Sequence, residues 1–352
     1  MAGTRHHEIP RFLQRGFASR IVTKGKKESV FVWVYRKGNA PYECNTVNVG
    51  VESKFYSEGD LNVDDEITGV EGAFSKSLVN LKHYPDSSRI NDDTFLQFVV
   101  NLTVRTKHIR DSIIDSTGFL FDNLFERLSD YRNWREYCMR YFARHPEIIR
   151  NELERTLEKS NLSAHKRAMA RQKVKRMPTE RILQYMDKDS SGYELLFQTL
   201  RINVLAGLKD EVKQAHIRSL LKTLVSEPRV NSYKKLRWFV RRTTKPLILG
   251  DVCCLFRLDS GFKSLGGTED TIENVYLPIA SDCIVVATAK DEVPEVDVRT
   301  VNEMSARVSR HFFIASVRAE EIENLSGLLG ADCDIVSKNE IEALMTDLLE
   351  EP

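Results

Sequence analysis

The densest chemistry in the chain lies in Arg5-His6-His7-Glu8-Ile9-Pro10-Arg11-Phe12-Leu13-Gln14-Arg15-Gly16-Phe17, where two imidazoles, a carboxylate and three guanidiniums surround an apolar Ile-Phe-Leu-Phe set. Segments near a terminus fray unless something docks them. Ile9, Phe12 and Phe17 are suited to such docking, and Pro10 biases Ile9 toward an extended backbone. His6 and His7 are adjacent, so on an extended backbone they point to opposite sides. One of them can then enter a site as a general acid/base or a metal ligand, while the other faces solvent or another element. A plainer account competes, in which one imidazole bonds a neighbour and the other is merely exposed.

Carboxylates and guanidiniums that could complete such a site stand on segments with helical spacing. Ile67, Val70, Phe74, Leu78 and Leu81 form an apolar stripe entered by Asp64-Asp65-Glu66, with Glu66 and Glu71 flanking it. Asn91-Asp92-Asp93 opens a further helix, expected to carry Phe95, Phe98, Val99, Leu102, Ile109 and Ile113 on its core face and Arg105, His108 and Arg110 along it. On one helix Arg105 and Arg110 would be about 140° apart, so they are not a single clamp. Arg105 falls one turn after Leu102, near the apolar face, where a guanidinium needs a carboxylate or phosphate partner. Two readings follow: a buried ion pair with Glu71 or Glu66, or an anion-binding arginine in a pocket with His7. A divalent metal would need further imidazoles or carboxylates from elsewhere, since the chain has no His-x-x-x-His, Glu-x-x-His or zinc-spaced cysteine pair.

Lys166, Arg167, Arg171, Lys173, Lys175 and Arg176 form a basic run containing no carboxylate, with Tyr185 and Tyr193 downstream. It can follow a phosphate backbone with aromatic stacking nearby. It can equally be a solvated helix face neutralised within a helical hairpin by Glu152, Glu154 and Glu158. The chain lacks Gly-x-Gly-x-x-Gly, a phosphate-loop lysine motif and Gly-x-Ser-x-Gly, which argues against a nucleotide-binding α/β enzyme and a serine hydrolase of that type. Cys253-Cys254 sits in an apolar run and reads as packing.

The elements that position these residues can be read in order. Val30–Tyr35 is a strand by its β-branched and aromatic density, and after the Lys37-Gly38-Asn39 turn the chain returns through Tyr42 to Val49. Phe119 to Phe142 is helical, Pro146 and Pro178 stand where helices start, and two helices are expected near Tyr193–Ala206 and Asp210–Ser226. Near Ser232 the texture changes to short β-rich runs: Leu236–Val240, Leu247–Leu258, Val275–Ile279, Cys283–Ala289 and His311–Val317. Helices are expected over Asp297–Ser309, Glu320–Leu329 and Asn339–Leu349. The fold class is therefore α+β: a small N-terminal β element, a long helical middle and a C-terminal mixed sheet with flanking helices. The best seam separates residues 1–231 from 232–352, unless the opening strand joins the C-terminal sheet and makes one interwoven domain.

Composition bounds the partners. Lys plus Arg number 52 against 51 Asp plus Glu, so a formal charge of +1 gives no global pull toward nucleic acid or membrane, and any attraction must be local. No apolar run approaches the roughly 20 residues of a membrane span. Six scattered cysteines without Cys-x-x-Cys point to reduced thiols and a cytoplasmic protein.

These residues resemble the bacterial family called domain of unknown function 4238, which opens with His-x-(Val/Ile)-Pro-x-Phe-x-Leu-x-x-Phe. His7, Ile9, Pro10, Phe12 and Phe17 match that pattern, with Gln14 where the family usually has Leu. Asn48 followed by Phe55-Tyr56, the helix carrying Glu66 and Glu71, and then Arg105 and Arg110 extend the resemblance. Tyr276-Leu277-Pro278-Ile279 is similar to the family's Pro-Leu-Ser strand, and Val301-Asn302 to its late Asn-containing helix. The family's Ser-Asp-x-Pro step appears only as Thr243-Thr244-Lys245-Pro246, without the acid, although Asp251 lies close by. The family has no settled activity to transfer; what the resemblance implies is a polar site centred on His7, Glu71 and Arg105, in a setting such as phage defence or a toxin.

The leading expectation is a phosphodiester hydrolase of the nuclease kind. His7 would be general acid/base, Glu71 would orient it or hold a metal, and Arg105 would neutralise phosphate charge, supported by His6, Glu66 and Arg110. The basic run would attract the nucleic-acid backbone. The alternatives are a non-catalytic binding or assembly protein, whose His7 and Arg105 only pin the N-terminal segment, and an enzyme for a small anionic substrate.

Overall fold

A computed structural model of the chain describes residues 5–53, 62–178, 181, 184, 190–222, 225–266 and 270–350. They fall into two compact units, Met1–Ile113 with Val212–Ile335, and Ile114–Glu211 with Val336–Pro352. The fold is α+β.

The chain runs β1 (Arg5–His7), α1 (Arg11–Gln14), β2 (Arg20–Lys24), β3 (Lys27–Tyr35), β4 (Tyr42–Asn45) and β5 (Val51–Ser53), then α2 (Asn62–Leu81), β6 (Arg89–Ile90), α3 (Asp93–Val104) and α4 (Lys107–Leu128). Helices α5 (Tyr131–Arg144), α6 (Pro146–Lys159), α7 (Ala164–Arg176) and α8 (Ser190–Lys222) follow. Next come α9 (Glu227–Lys234), β7 (Arg237–Arg242), β8 (Leu249–Gly250), β9 (Leu255–Leu258), β10 (Gly261–Lys263), β11 (Ile272–Ala280) and β12 (Cys283–Thr288). The last elements are α10 (Val298–Val308), β13 (Phe313–Ala315), α11 (Glu320–Leu325) and α12 (Lys338–Glu350).

The first unit is built on three antiparallel sheets. One has the order β10-β9-β11-β12-β7-β6, a second runs β2-β3-β13-β8 with β4 also on β3, and β1 pairs with β5. The change of texture near Ser232 lies inside this unit. There β6 lies on β7 (Ile90 opposite Trp238) and β13 lies on β3 (Ile314 opposite Val34), so early and late strands share two sheets.

The opening segment is docked, as its apolar residues require. Ile9, Leu13 and Phe17 are buried, each stabilising the dock by about 1.5–3 kcal/mol. Phe12 packs on Phe98, which also meets Phe74 and Phe95. Gly16 runs so close to β11 that a Cβ there would lie 2.2 Å from the Ile279 carbonyl oxygen. Its own carbonyl accepts the Ser281 N–H at 3.0 Å. Gln14 is buried and donates Nε2–H to the Ile9 carbonyl at 2.8 Å.

Four segments differ from the periodicity, each for an identifiable reason. The helix expected through Arg105 is broken: α3 ends at Val104 and α4 begins at Lys107. The Val104 carbonyl accepts from His216 Nε2 at 2.9 Å, a tertiary bond that helps satisfy the polar groups at the break. The helix expected from Phe119 to Phe142 is interrupted where Asp130 caps α5, accepting the Arg132 N–H at 2.7 Å. The two helices expected near Tyr193 and Asp210 are one, α8, because Gly207 alone costs a helix only about 1 kcal/mol. The run Leu247–Leu258 is split into β8 and β9 by Cys253, whose φ of +60° an extended strand cannot hold.

In the second unit Phe125, Leu128 and Phe197 form a core with Phe121, Leu124, Trp134, Tyr137 and Val204 around them. Helices α6 and α7 pack as a hairpin.

Candidate functional site

Arg105 is the centre of the trio read from the sequence. It is almost wholly buried, at 2% exposure, and its Nη1 pairs with Glu71 Oε1 at 2.8 Å. Nη1 also donates to Asn101 Oδ1 at 3.2 Å, and Nη2 donates to the backbone carbonyl of His7 at 3.1 Å. Glu71 is thus the partner Arg105 takes; the side chain of Glu66 lies outside the described residues. Arg105 therefore reaches both other members of the trio, but it holds His7 by its main chain. The His7 ring is half-buried and donates Nδ1–H to the Val49 carbonyl at 3.3 Å. His6 is buried, as the alternation along β1 requires. The trio is a strut that fixes β1 against α2 and α3.

Arg110 begins a second polar set, on α4, beyond the break at which Arg105 caps α3. It donates Nε–H to His216 Nδ1 at 3.4 Å, and His216 passes its Nε2–H to Val104. His216 is thereby a neutral imidazole, and burial, together with the Arg110 charge, holds its pKa below the ordinary range. Nη1 of Arg110 faces Glu52 Oε1 at 3.9 Å, and Lys107 Nζ faces the other oxygen of Glu52 at 3.7 Å.

A third set escaped the sequence reading as a site. Glu8 shares the buried side of the opening strand with His6, and Oε2 of its carboxylate makes no hydrogen bond. Burial raises its pKa from an ordinary 4.5 to about 7; Asp251 and Glu52 push the same way, against Lys107 and His311. Asp251 is itself buried, and burial raises its pKa too. Its two oxygens take the backbone N–H groups of Arg310 at 3.1 Å and His311 at 2.7 Å, which sets the backbone under the His311 ring. His311 Nε2–H is donated to Asp111 Oδ2 at 2.9 Å, and both side chains are partly open to solvent. Burial opposes ionisation of Asp111, but the His311 hydrogen bond and the charges of Lys107, His311 and Arg310 hold its carboxyl below the usual range. His108 is buried nearby with Nε2 2.9 Å from Ser264 Oγ, and burial followed by Arg310 and His311 brings its pKa down to about 4.

This arrangement pairs a buried acid that keeps its proton near neutrality with an oriented, solvent-reachable imidazole. The sequence did hold signals for it. Lys107-His108-Ile109-Arg110-Asp111 is a dense titratable run, and alternation along the strand sends Glu8 inward with His6. His311 was legible only as the start of a strand, because its partners come from residues 111 and 251.

The basic run forms α7, which buries none of its side chains. Arg171 pairs with Glu158 at 2.8 Å and Lys175 with Glu154 at 3.9 Å; the side chain of Glu152 lies outside the described residues. Arg167 is also turned toward the hairpin, at the Glu158 carbonyl. Lys166, Lys173 and Arg176 lie along the exposed face with Met169 between them. Tyr185 and the side chain of Tyr193 are outside the described residues, as are Phe55 and Tyr56. Among the described residues no three His, Cys, Asp or Glu side chains are grouped to hold a metal ion, and no helix is long and apolar enough to cross a membrane.

No curated protein and no solved structure matches the chain. A family model described as "Protein of unknown function (DUF4238)" matches residues 5–322, a span that takes in the Arg105 strut, Glu8 and the Asp111–His311 pair. The chain belongs to the DUF4238 family.

Proposed function

We propose that the protein is an acid–base hydrolase that cleaves phosphodiester bonds in nucleic acid, with Glu8 and His311 as its working groups. With Nε2–H committed to Asp111, the His311 ring offers Nδ1 to take a proton from attacking water. Glu8, still protonated near neutral pH, gives its proton to the leaving oxygen. The Arg105–Glu71 pair acts as the positioning strut for the strand that leads into Glu8, and His7 contributes its main chain to that strut. Lys166, Lys173 and Arg176 supply attraction for a polyanion, with Coulomb reach of about 8 Å at physiological salt. A cytoplasmic setting fits free Cys253, Cys254 and Cys283 buried without disulfides.

The observation that carries this reading is the buried carboxylate of Glu8, whose Oε2 makes no hydrogen bond and whose pKa burial pushes up to about 7. A non-catalytic binding or assembly role is the second reading, favoured by the hydrogen-bonded state of Arg105. The test is a cleavage assay on single- and double-stranded DNA and RNA, with and without divalent metals, using wild type and Glu8→Gln. Metal-independent or metal-assisted cleavage that falls at least about 100-fold in the variant supports the acid–base role. No cleavage by either protein across all substrates moves the assignment to the binding role.

A further inference from the structure

We infer that Lys107 and Arg110 form an oxyanion subsite that the carboxylate of Glu52 fills in the free protein. The inference rests on the reading above and names what that site grips: the phosphate group of the substrate backbone.

Glu52 stands on β5, opposite His6 in the β1–β5 ladder. It gives one oxygen to each cation, Oε2 to Lys107 Nζ at 3.7 Å and Oε1 to Arg110 Nη1 at 3.9 Å. Both distances exceed hydrogen-bonding length, and Oε2 is buried without a hydrogen bond. A buried carboxylate oxygen left that way is penalised, so Glu52 offsets part of the charge of the two cations without fitting between them. A tetrahedral oxyanion presents more oxygens over a wider span and can hydrogen-bond to both cations once Glu52 swings to solvent.

The two cations differ in a way that suits this task. Arg110 is 5% exposed, and its Nε is fixed by His216, whose other nitrogen is fixed by the Val104 carbonyl. Its guanidinium is therefore aimed before any ligand arrives. Lys107 is 35% exposed and Glu52 34%, so an entering anion meets a mobile ammonium and a displaceable carboxylate on the solvent side. The charge of Lys107 is felt at both Glu8 and Asp111. An anion held there is within Coulomb reach of the acid and of the imidazole's partner, as a scissile phosphate has to be. Glu52 then acts as an internal competitor that offsets one of the cradle's two positive charges until substrate displaces it.

The probe is sulfate, whose charge is constant across neutral pH, titrated calorimetrically into the full chain at fixed ionic strength with chloride as the reference salt. Wild type is expected to bind sulfate saturably, Glu52→Gln about tenfold more tightly, and Lys107→Gln at least about tenfold more weakly. Tighter binding by Glu52→Gln cannot arise from misfolding, which protects the test against an unstable variant. Absence of saturable binding in both wild type and Glu52→Gln, or binding indifferent to Lys107→Gln, overturns the subsite. A thymidine dinucleotide with a single phosphodiester should displace the sulfate. Displacement by inorganic phosphate alone would overturn the assignment to the substrate backbone. Because sulfate binding involves no turnover, lost cleavage with intact binding discredits the acid–base roles and leaves the subsite standing.

Discussion

Replacing Glu8 by Gln should stabilise the first unit at alkaline pH and leave it unchanged in acid. In the unfolded chain this carboxyl ionises near its ordinary 4.5, whereas in the folded protein burial holds it protonated up to about 7. Below the lower value both states carry the proton and folding is indifferent to it. As pH rises through the interval the unfolded state gains ionisation that the folded state cannot share, so wild-type stability falls until the folded pKa is passed. At 1.36 kcal/mol per tenfold, that displacement amounts to about 3 kcal/mol, fully expressed above pH 8. Gln keeps the shape and carries no charge, so the variant should match wild type at pH 4 and exceed it by up to about 3 kcal/mol at pH 8.5. Urea unfolding followed by the fluorescence of Trp33 and Trp238 in a Trp134→Phe background reports the first unit alone. The midpoint should shift with an unchanged slope. Equal stability of the two proteins at pH 8.5 would refute the reasoning.

Other perturbations separate support from chemistry. Arg105→Ala removes the link between α3 and the opening strand and should cost about 3–5 kcal/mol in the same unfolding assay, with faster proteolysis around residues 5–17. A loss below about 1 kcal/mol would mean that the strand is held elsewhere. Gly16→Ala drives a Cβ to 2.2 Å from the Ile279 carbonyl oxygen and should destabilise by about 1–3 kcal/mol or more, read as a lowered melting temperature. Changing Lys166, Lys173 and Arg176 together to Gln should leave the melt unchanged, since α7 buries no side chain. The same triple change should reduce the salt slope of single-strand binding by about 2, read by fluorescence anisotropy across salt concentrations.

Much of the fold could be read locally because its causes are local. Val30–Tyr35 alternates and is β-branched, and it appears within β3; the stripe Val70, Phe74, Leu78 and Leu81 appears on α2. Two of the departures came where residues distant in the chain take part. The break after Val104 depends on His216, more than a hundred residues away. The split of β8 from β9 depends on the positive φ of Cys253 beside Asp251, which ties its carboxylate to the backbone of Arg310 and His311. For the site, the ion pair of Arg105 with Glu71 was within reach, since a guanidinium near an apolar face has to find a carboxylate. Glu8 was in view as a residue but not as an acid with a displaced pKa, because its desolvation comes from elements folded over it. The His311–Asp111 pair joins residues 200 positions apart, and nothing in the spacing of either announces the other.

The polar residues divide into a strut, formed by Arg105, Glu71 and the main chain of His7, and the proposed working pair, Glu8 with His311 held by Asp111. The most direct test compares two imidazoles in one assay: cleavage by His311→Asn and by His7→Asn, each with its fold checked by circular dichroism. The account predicts a loss of about 100- to 10,000-fold for His311→Asn and a loss under about tenfold for His7→Asn. Activity that survives in His311→Asn and disappears in His7→Asn would contradict it and return the chemistry to the opening strand.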